Sequence, residues 1–234
     1  TFEWTGPNGF NATSEDPSNL FAGVYVLHVT DDHGCIDSSY HNVLEPSTYT
    51  ISATLSSYLG GASTSCANAA DGSIDLTVAG ATPPYDFTWT GPNGFTATSE
   101  DVSGLAAGTY VVIVSDVNDC ATSASYTLTA PSPFFVSLNK PAGHNGFDIA
   151  CAGGNDGSIG VTTSGGTSPY FYTWSGPNGF TSANADIDDL LSGNYLLVAE
   201  DANGCPAQAD ITLTEPTPII TSIQSTVDVS CNGD

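Results

Sequence analysis

The chain repeats itself at a fixed step. Trp4, Trp89 and Trp174 stand 85 residues apart (89 − 4 and 174 − 89), and the same step relates Cys35, Cys120 and Cys205 and Pro46, Pro131 and Pro216. Around each Trp the text is nearly identical, from Trp4-Thr-Gly-Pro-Asn-Gly-Phe10 to Trp174-Ser-Gly-Pro-Asn-Gly-Phe180. A period of this kind means a tandem array, so the fold must be solved once per unit and then at each junction. A unit of 85 residues is long enough to hold its own core. Phased on the prolines, the chain divides into the C-terminal part of one repeat (1–47), two complete repeats (48–132 and 133–217) and the start of another (218–234).

Within a unit the apolar residues alternate with a period of two, the signature of half-buried strands. Ile74, Leu76 and Val78 share one face, as do Tyr85, Phe87 and Trp89; helical periodicity is absent. Gly91-Pro-Asn-Gly94 reads as a tight turn with Pro at its second position. The count is about seven short strands per unit with regular turn signals, which predicts an all-β chain of tandem immunoglobulin-like antiparallel sandwiches of the fibronectin III or PKD kind, forming an extended rod. Trp4, Trp89 and Trp174 on the third strand, with Tyr25, Tyr110 and Tyr195 inside the sixth, are expected in the core. A sugar-stacking role for the Trp row requires those rings to be exposed.

Charge excludes several partners. Lys140 is the only Lys or Arg against 25 Asp and Glu, a formal −24. Nucleic acid and anionic membranes are repelled by such a surface. Catalysis is also disfavoured, because no acid–base pair recurs with the period: one repeat on from His28, His33 and His41 stand Ile113, Asn118 and Tyr126, and one repeat before His144 stands Leu59. The chain is therefore read as no enzyme. Pairs such as Glu100-Asp101 read as solvated carboxylates.

Put together, these motifs resemble the SprB repeat of giant cell-surface adhesins in gliding Bacteroidota. The likeness rests on Cys66, Asp71-Gly-Ser-Ile74, Gly80-Ala-Thr-Pro-Pro-Tyr85, Trp89, Leu105 to Tyr110, Val114 to Cys120 and Pro131, and on their partners in the next unit from Cys151 to Cys205. The resemblance implies a secreted, extracellular protein anchored at the outer membrane. Its repeats would act as a stalk for surface attachment and gliding motility. The partners implied are neighbouring repeats, a surface polysaccharide or abiotic surface, and the gliding or secretion machinery. The rival reading is an array of carbohydrate-binding modules for extracellular polysaccharide.

Six cysteines without zinc-type spacing point to disulfides in an oxidising compartment. Cys66 and Cys151 follow the first strand, whereas Cys120 and Cys205 lie in the turn between the sixth and seventh. A first strand of about 10 residues spans ~33 Å and puts the two kinds at opposite ends of a unit; bridged Cα atoms must come within about 7 Å. The favoured pairing is the cross-repeat Cys66–Cys205, with Cys66–Cys120 and Cys151–Cys205 as the intra-repeat alternative. Oxygen-bearing turns near the junctions (Asp116, Asn118, Asp119; Asp201, Asn203; Asp71; Asp156) admit calcium as the one cofactor to consider. The same residue types equally suit plain hairpin turns, and no complete EF-hand loop is present.

Overall fold

The computed structural model describes residues 1–141, 143, 145–222 and 224. His144, Cys231 and most of the 218–234 segment lie outside the described residues. Strands β1 (Phe2–Gly6), β2 (Phe10–Ala12), β3 (Gly23–Thr30) and β4 (Ile36–Val43) form one four-stranded sheet in the order β2-β1-β3-β4. The next group comprises β5 (Thr50–Leu55), β6 (Gly72–Ala79), β7 (Tyr85–Thr90), β8 (Thr96–Ala97), β9 (Val102–Leu105), β10 (Gly108–Asp116) and β11 (Ala121–Leu128). The last comprises β12 (Phe135–Asn139), β13 (Gly157–Ser164), β14 (Phe171–Ser175), β15 (Thr181–Ser182), β16 (Ile187–Leu190), β17 (Gly193–Glu200) and β18 (Pro206–Leu213).

Each seven-stranded group is a sandwich. A sheet β5-β6-β9 faces a sheet β11-β10-β7-β8, and β12-β13-β16 faces β15-β14-β17-β18. Every pairing is antiparallel. The alternation in sequence becomes a core between the sheets. Ile74, Leu76, Trp89, Tyr110, Val112, Val114 and Leu128 pack in one sandwich. Ile159, Trp174, Tyr195, Leu197 and Leu213 pack in the other. Trp89 and Trp174 have no exposed surface, and each indole Nε1 donates to a backbone carbonyl ten residues on, Ser99 and Asn184, at 3.0 Å. The three tyrosine hydroxyls likewise donate to the carbonyl four residues back, at 2.8–2.9 Å. Burying these polar tips with partners removes the desolvation cost that would otherwise offset the rings' packing.

The repeated Trp-x-Gly-Pro-Asn-Gly-Phe text has a geometric cause. Phe95 N donates to Pro92 O at 3.0 Å, so Pro92 opens the turn and Asn93 and Gly94 are its central residues, at φ 56° and 77°. Two positive φ values make a type I′ hairpin turn, the kind that suits Asn-Gly and matches strand twist. The expectation that Pro sits second is corrected accordingly. A Cβ on Gly91 would stand 2.4 Å from the Tyr110 ring, and Phe95 meets that ring edge-on at 5.2 Å. The motif is a cap over the buried tyrosine.

Trp89→Ala removes the largest wholly buried side chain of its sandwich, a loss of about 3–5 kcal/mol. That is much of the stability of a domain this size. In urea under reducing conditions, with the Cys66–Cys205 bond broken, the variant's β5–β11 sandwich is expected to unfold well before the β12–β18 one, with Trp174 fluorescence reporting the latter unchanged. Unfolding at the parent's midpoint would refute the packing argument.

Candidate functional site at the junction

The two sandwiches meet where β11 leads through residues 129–134 into β12. Two chain segments face each other there: the loop 56–71 of the first sandwich and the turn 201–205 of the second. Each is held rigidly by its own unit before it touches the other.

The loop is pinned to the end of the last strand. Ser63 N and Thr64 N both donate to Thr129 O, at 2.8 and 3.1 Å, and Ser65 N donates to Asp71 Oδ1 at 3.1 Å. Hydrogen bonding from Ser65 is the leading influence on the Asp71 carboxyl, and it holds the group below its usual range against the opposing effect of burial. The loop of the second sandwich repeats the arrangement. Asp148 N and Ile149 N donate to Thr214 O at 2.9 and 3.1 Å, and Ala150 N lies 3.3 Å from both oxygens of Asp156. Lys140 Nζ, 2.7 Å from Asp148 Oδ2, adds an ion pair that the first sandwich lacks.

The turn is built around a buried carboxylate. Asp201 Oδ1 accepts from Asn203 N and Cys205 N at 2.9 Å each, and Oδ2 accepts from Thr167 N at 2.8 Å. Asp116 does the same with Asn118 N, Cys120 N and Thr82 N. Burial pushes the Asp116 carboxyl up, but the amides of Cys120, Thr82 and Asn118 together outweigh it and leave it below the ordinary value. Three N–H groups aimed at one carboxylate direct positive dipole ends at the place a cation would occupy. Asp116 and Asp201 thus use their oxygens to shape the turn. Asn203 donates its side-chain amide to Leu59 O at 3.0 Å across the junction and to Thr167 Oγ1 at 3.2 Å. Asp119 takes the left-handed position of its turn, at φ 60°. Among the described residues, no group of three or more His, Cys, Asp or Glu side chains converges as a metal site.

Between loop and turn runs the Cys66–Cys205 disulfide, with Cα atoms 5.6 Å apart and a sequence separation of 139. Cys120 and Cys151 are free and exposed, as is Cys35, so neither intra-repeat bridge is formed. The reason lies in the placement of the ends. Tyr49, just before β5, donates its hydroxyl to Cys120 O at 2.8 Å, whereas the Cys66 loop is tied to the far end of β11. One expectation needs correcting: the first strand has six residues in one sandwich and five in the other, not about 10. Much of the path from β5 to Cys66 is loop. Gly60 completes the contact at φ 91°, where a Cβ would lie 3.2 Å from the Thr167 side chain; only glycine combines that backbone with that approach.

Three features here escaped the sequence reading. Asp101, read there as solvated, accepts from Leu76 N at 2.9 Å, and Asp186 accepts from Val161 N at 2.8 Å. The recurrence of Asp101 one period on as Asp186 was the signal available. The Thr167 contact repeats that of Thr82 with Asp116 and carried the same signal, whereas the Leu59 contact, 144 positions from Asn203, had none.

Residues 63–94 and 148–179, each running from the pinned cysteine loop to the Asn-Gly turn, match the SprB repeat. The chain carries SprB repeats. No curated protein matches it. Among solved structures, a C-terminal fragment of intimin in complex with the intimin-binding domain of its translocated receptor is 15% identical, with a TM-score of 0.37, over 71% of this chain. A tetra-tandem repeat from the extending region of a large adhesion protein is 18% identical, with a TM-score of 0.32, over 92% of this chain. The chain spans 64% and 66% of those two structures.

Acid is expected to loosen these SprB repeats. Asp71 and Asp116 sit below their ordinary value, and so does Asp148, where burial raises the carboxyl but Lys140 and Thr214 outweigh it. Folded-state values below the unfolded ones mean stabilisation that is present above about pH 4 and lost as pH falls through the lowered values. Relief of repulsion among the exposed carboxylates opposes this weakly, because charges more than ~8 Å apart are screened at physiological salt. Melting temperature should hold from pH 7 to 5 and drop below about pH 4. A rise at pH 3 would contradict the assignment.

Proposed function

We propose that this chain is part of the repeat region of a cell-surface adhesin, exposed outside the cell and serving as a stalk for attachment and gliding movement. Its working units are 48–132 and 133–217. The SprB repeats support the adhesin class. The observation that carries the stalk reading is the Cys66–Cys205 bond, because it spans the junction and resists bending and shear there. A bond of this kind also fits an oxidising, extracellular setting. The carbohydrate-module alternative gains nothing from the Trp row, since Trp89 and Trp174 are wholly buried and present no face to a sugar.

Small-angle scattering on the full chain tests the proposal. The oxidised parent should give a narrow pair-distance distribution, and Cys66→Ser a broader one with a variable maximum dimension. Superposable curves would remove the mechanical argument. Specific retention of the parent on a polysaccharide array would instead favour the binding-module reading.

A further inference from the structure

Each sandwich ends one of its sheets on a long strand with a single neighbour, β11 beside β10 and β18 beside β17. Asp116 N donates to Cys120 O across the β10–β11 hairpin at 3.0 Å, and the register continues as Val114↔Thr122 and Val112↔Ala124. Bonded and non-bonded residues alternate along such a ladder. The backbone groups of Ala121, Ser123, Ser125 and Thr127 therefore point away from β10. Asp201 N and Cys205 O repeat the geometry, which puts those of Pro206, Gln208, Asp210 and Thr212 on the free edge of β18. An open row of this kind templates another strand unless something blunts it.

The β18 edge is blunted. Pro206 at its start has no N–H to offer, and Asp210 sets a charge at its middle. Lys140 Nζ reaches over to Thr212 O at 3.2 Å, and β12 runs close beside the strand. The β11 edge has none of these devices. One period back from Pro206, Asp210 and Lys140 stand Ala121, Ser125 and Leu55, and β5 keeps further from β11 than β12 does from β18. Ala121, Ser123, Ser125 and Thr127 are exposed, and among the described residues nothing bonds to their outward backbone groups. The open stretch is bounded by the Tyr49 hydroxyl on Cys120 O and by Ser63 N and Thr64 N on Thr129 O.

Charge narrows what can fill it. Two copies of a chain with a formal −24 repel unless they meet where neither is charged. β11, Ala-Thr-Ser-Ala-Ser-Tyr-Thr-Leu, has no charged residue. A β18–β18 pair would bring two Asp210 carboxylates together, and a β4–β4 pair two of Asp37. β5 is uncharged as well, but it has six residues against eight, and its sister β12 is left equally bare. The contrast between sister strands singles out β11.

We propose that the free edge of β11 pairs with β11 of a second copy of this chain, antiparallel about a two-fold axis, with Ala121 opposite Thr127 and Ser123 opposite Ser125. Each such pair exchanges both main-chain hydrogen bonds, and the two four-stranded sheets become one continuous sheet. The same patch serves on both copies, as a closed dimer requires. Chains joined this way lie side by side.

The test uses the full chain with Cys35, Cys120, Cys151 and Cys231 changed to serine, so that thiols cannot link copies and the Cys66–Cys205 bond remains. Sedimentation in about 0.5 M salt, which screens the acidic copies from each other, should show a monomer–dimer equilibrium. Protein is taken up to about 0.5 mM, where a weak interface is populated. Ala121→Pro with Ser125→Asp writes the β18 residues into β11; β18 carries both within the same fold, and proline is tolerated where the N–H faces outward. This double variant should weaken the dimer by about tenfold or more while its tryptophan fluorescence stays that of the parent. Ser103→Asp copies Asp188 onto β9, away from the edge, and should change the dimer by less than about twofold. Hydrogen exchange in the concentrated chain should slow at the amides of Ser123, Ser125 and Thr127. A chain that stays monomeric throughout would overturn the proposal, as would a dimer indifferent to the double variant. Protection at Ile51 and Ala53 in place of β11 would move the contact to β5 and overturn it too. None of these results touches the intramolecular bond on which the stalk reading rests.

Discussion

Pulled from its two ends in a force spectrometer, the oxidised chain is expected to fall short of the reduced chain by about 470 Å at full extension. The Cys66–Cys205 bond takes 139 residues out of the covalent path between the ends, and each residue contributes roughly 3.4 Å when extended. With the bond intact the load passes from β5 through the sulfurs to β18, and most strands of both sandwiches unfold without lengthening the molecule. Cys66→Ser should show the long contour in either redox state, whereas Cys120→Ser should behave as the parent. Equal contour lengths for oxidised and reduced parent would mean that the bond does not form in solution.

The second large effect is thermal. Closing a loop of 139 residues restricts the unfolded ensemble by about 5 kcal/mol on the chain-entropy account, and removal of native disulfides costs about 2–5 kcal/mol in practice. For some 170 residues of folded sandwich, that is a fall in melting temperature of about 10 °C. It should also appear as lost cooperativity. The oxidised parent is expected to melt the two sandwiches in one calorimetric transition, because unfolding either leaves the other holding the closed loop. Cys66→Ser and Cys205→Ser should each split the transition in two. Variants melting within a degree of the parent, in one transition, would refute the entropic account.

How far the fold was legible depended on the range of each interaction. Strand alternation is local, and a period of 85 presents each strand signal more than once, so the seven-strand pattern and the buried Trp89, Trp174, Tyr110 and Tyr195 were readable directly. The type I′ turn was only partly readable: Gly-Pro-Asn-Gly contains two overlapping turn signals, and the Asn93-Gly94 preference for positive φ prevails over Pro at the second position. The length of β5 was not readable, because loop 56–71 carries apolar residues of its own. The finer contacts of the junction lay beyond reach for a different reason. Asn203 to Leu59 depends on how two preformed bodies sit against each other, and the unit-to-unit step turns Asn203 into Asn118 and then His33. The cysteines and the oxygen-bearing turns marked the place in the sequence, but not which atoms meet across it.

Lys140 pairs with Asp148 and donates to Thr212 O at 3.2 Å. It is also the only side chain in the chain at which a protease selecting Lys or Arg can begin, and the bond it would cut leads into Pro141. Proline's ring fixes the backbone and removes the amide hydrogen there, which makes that bond a poor substrate. To this whole class of digestive enzymes the polypeptide offers no ordinary scissile bond, folded or unfolded. In the proposed stalk that protection would persist even where force had opened the domains.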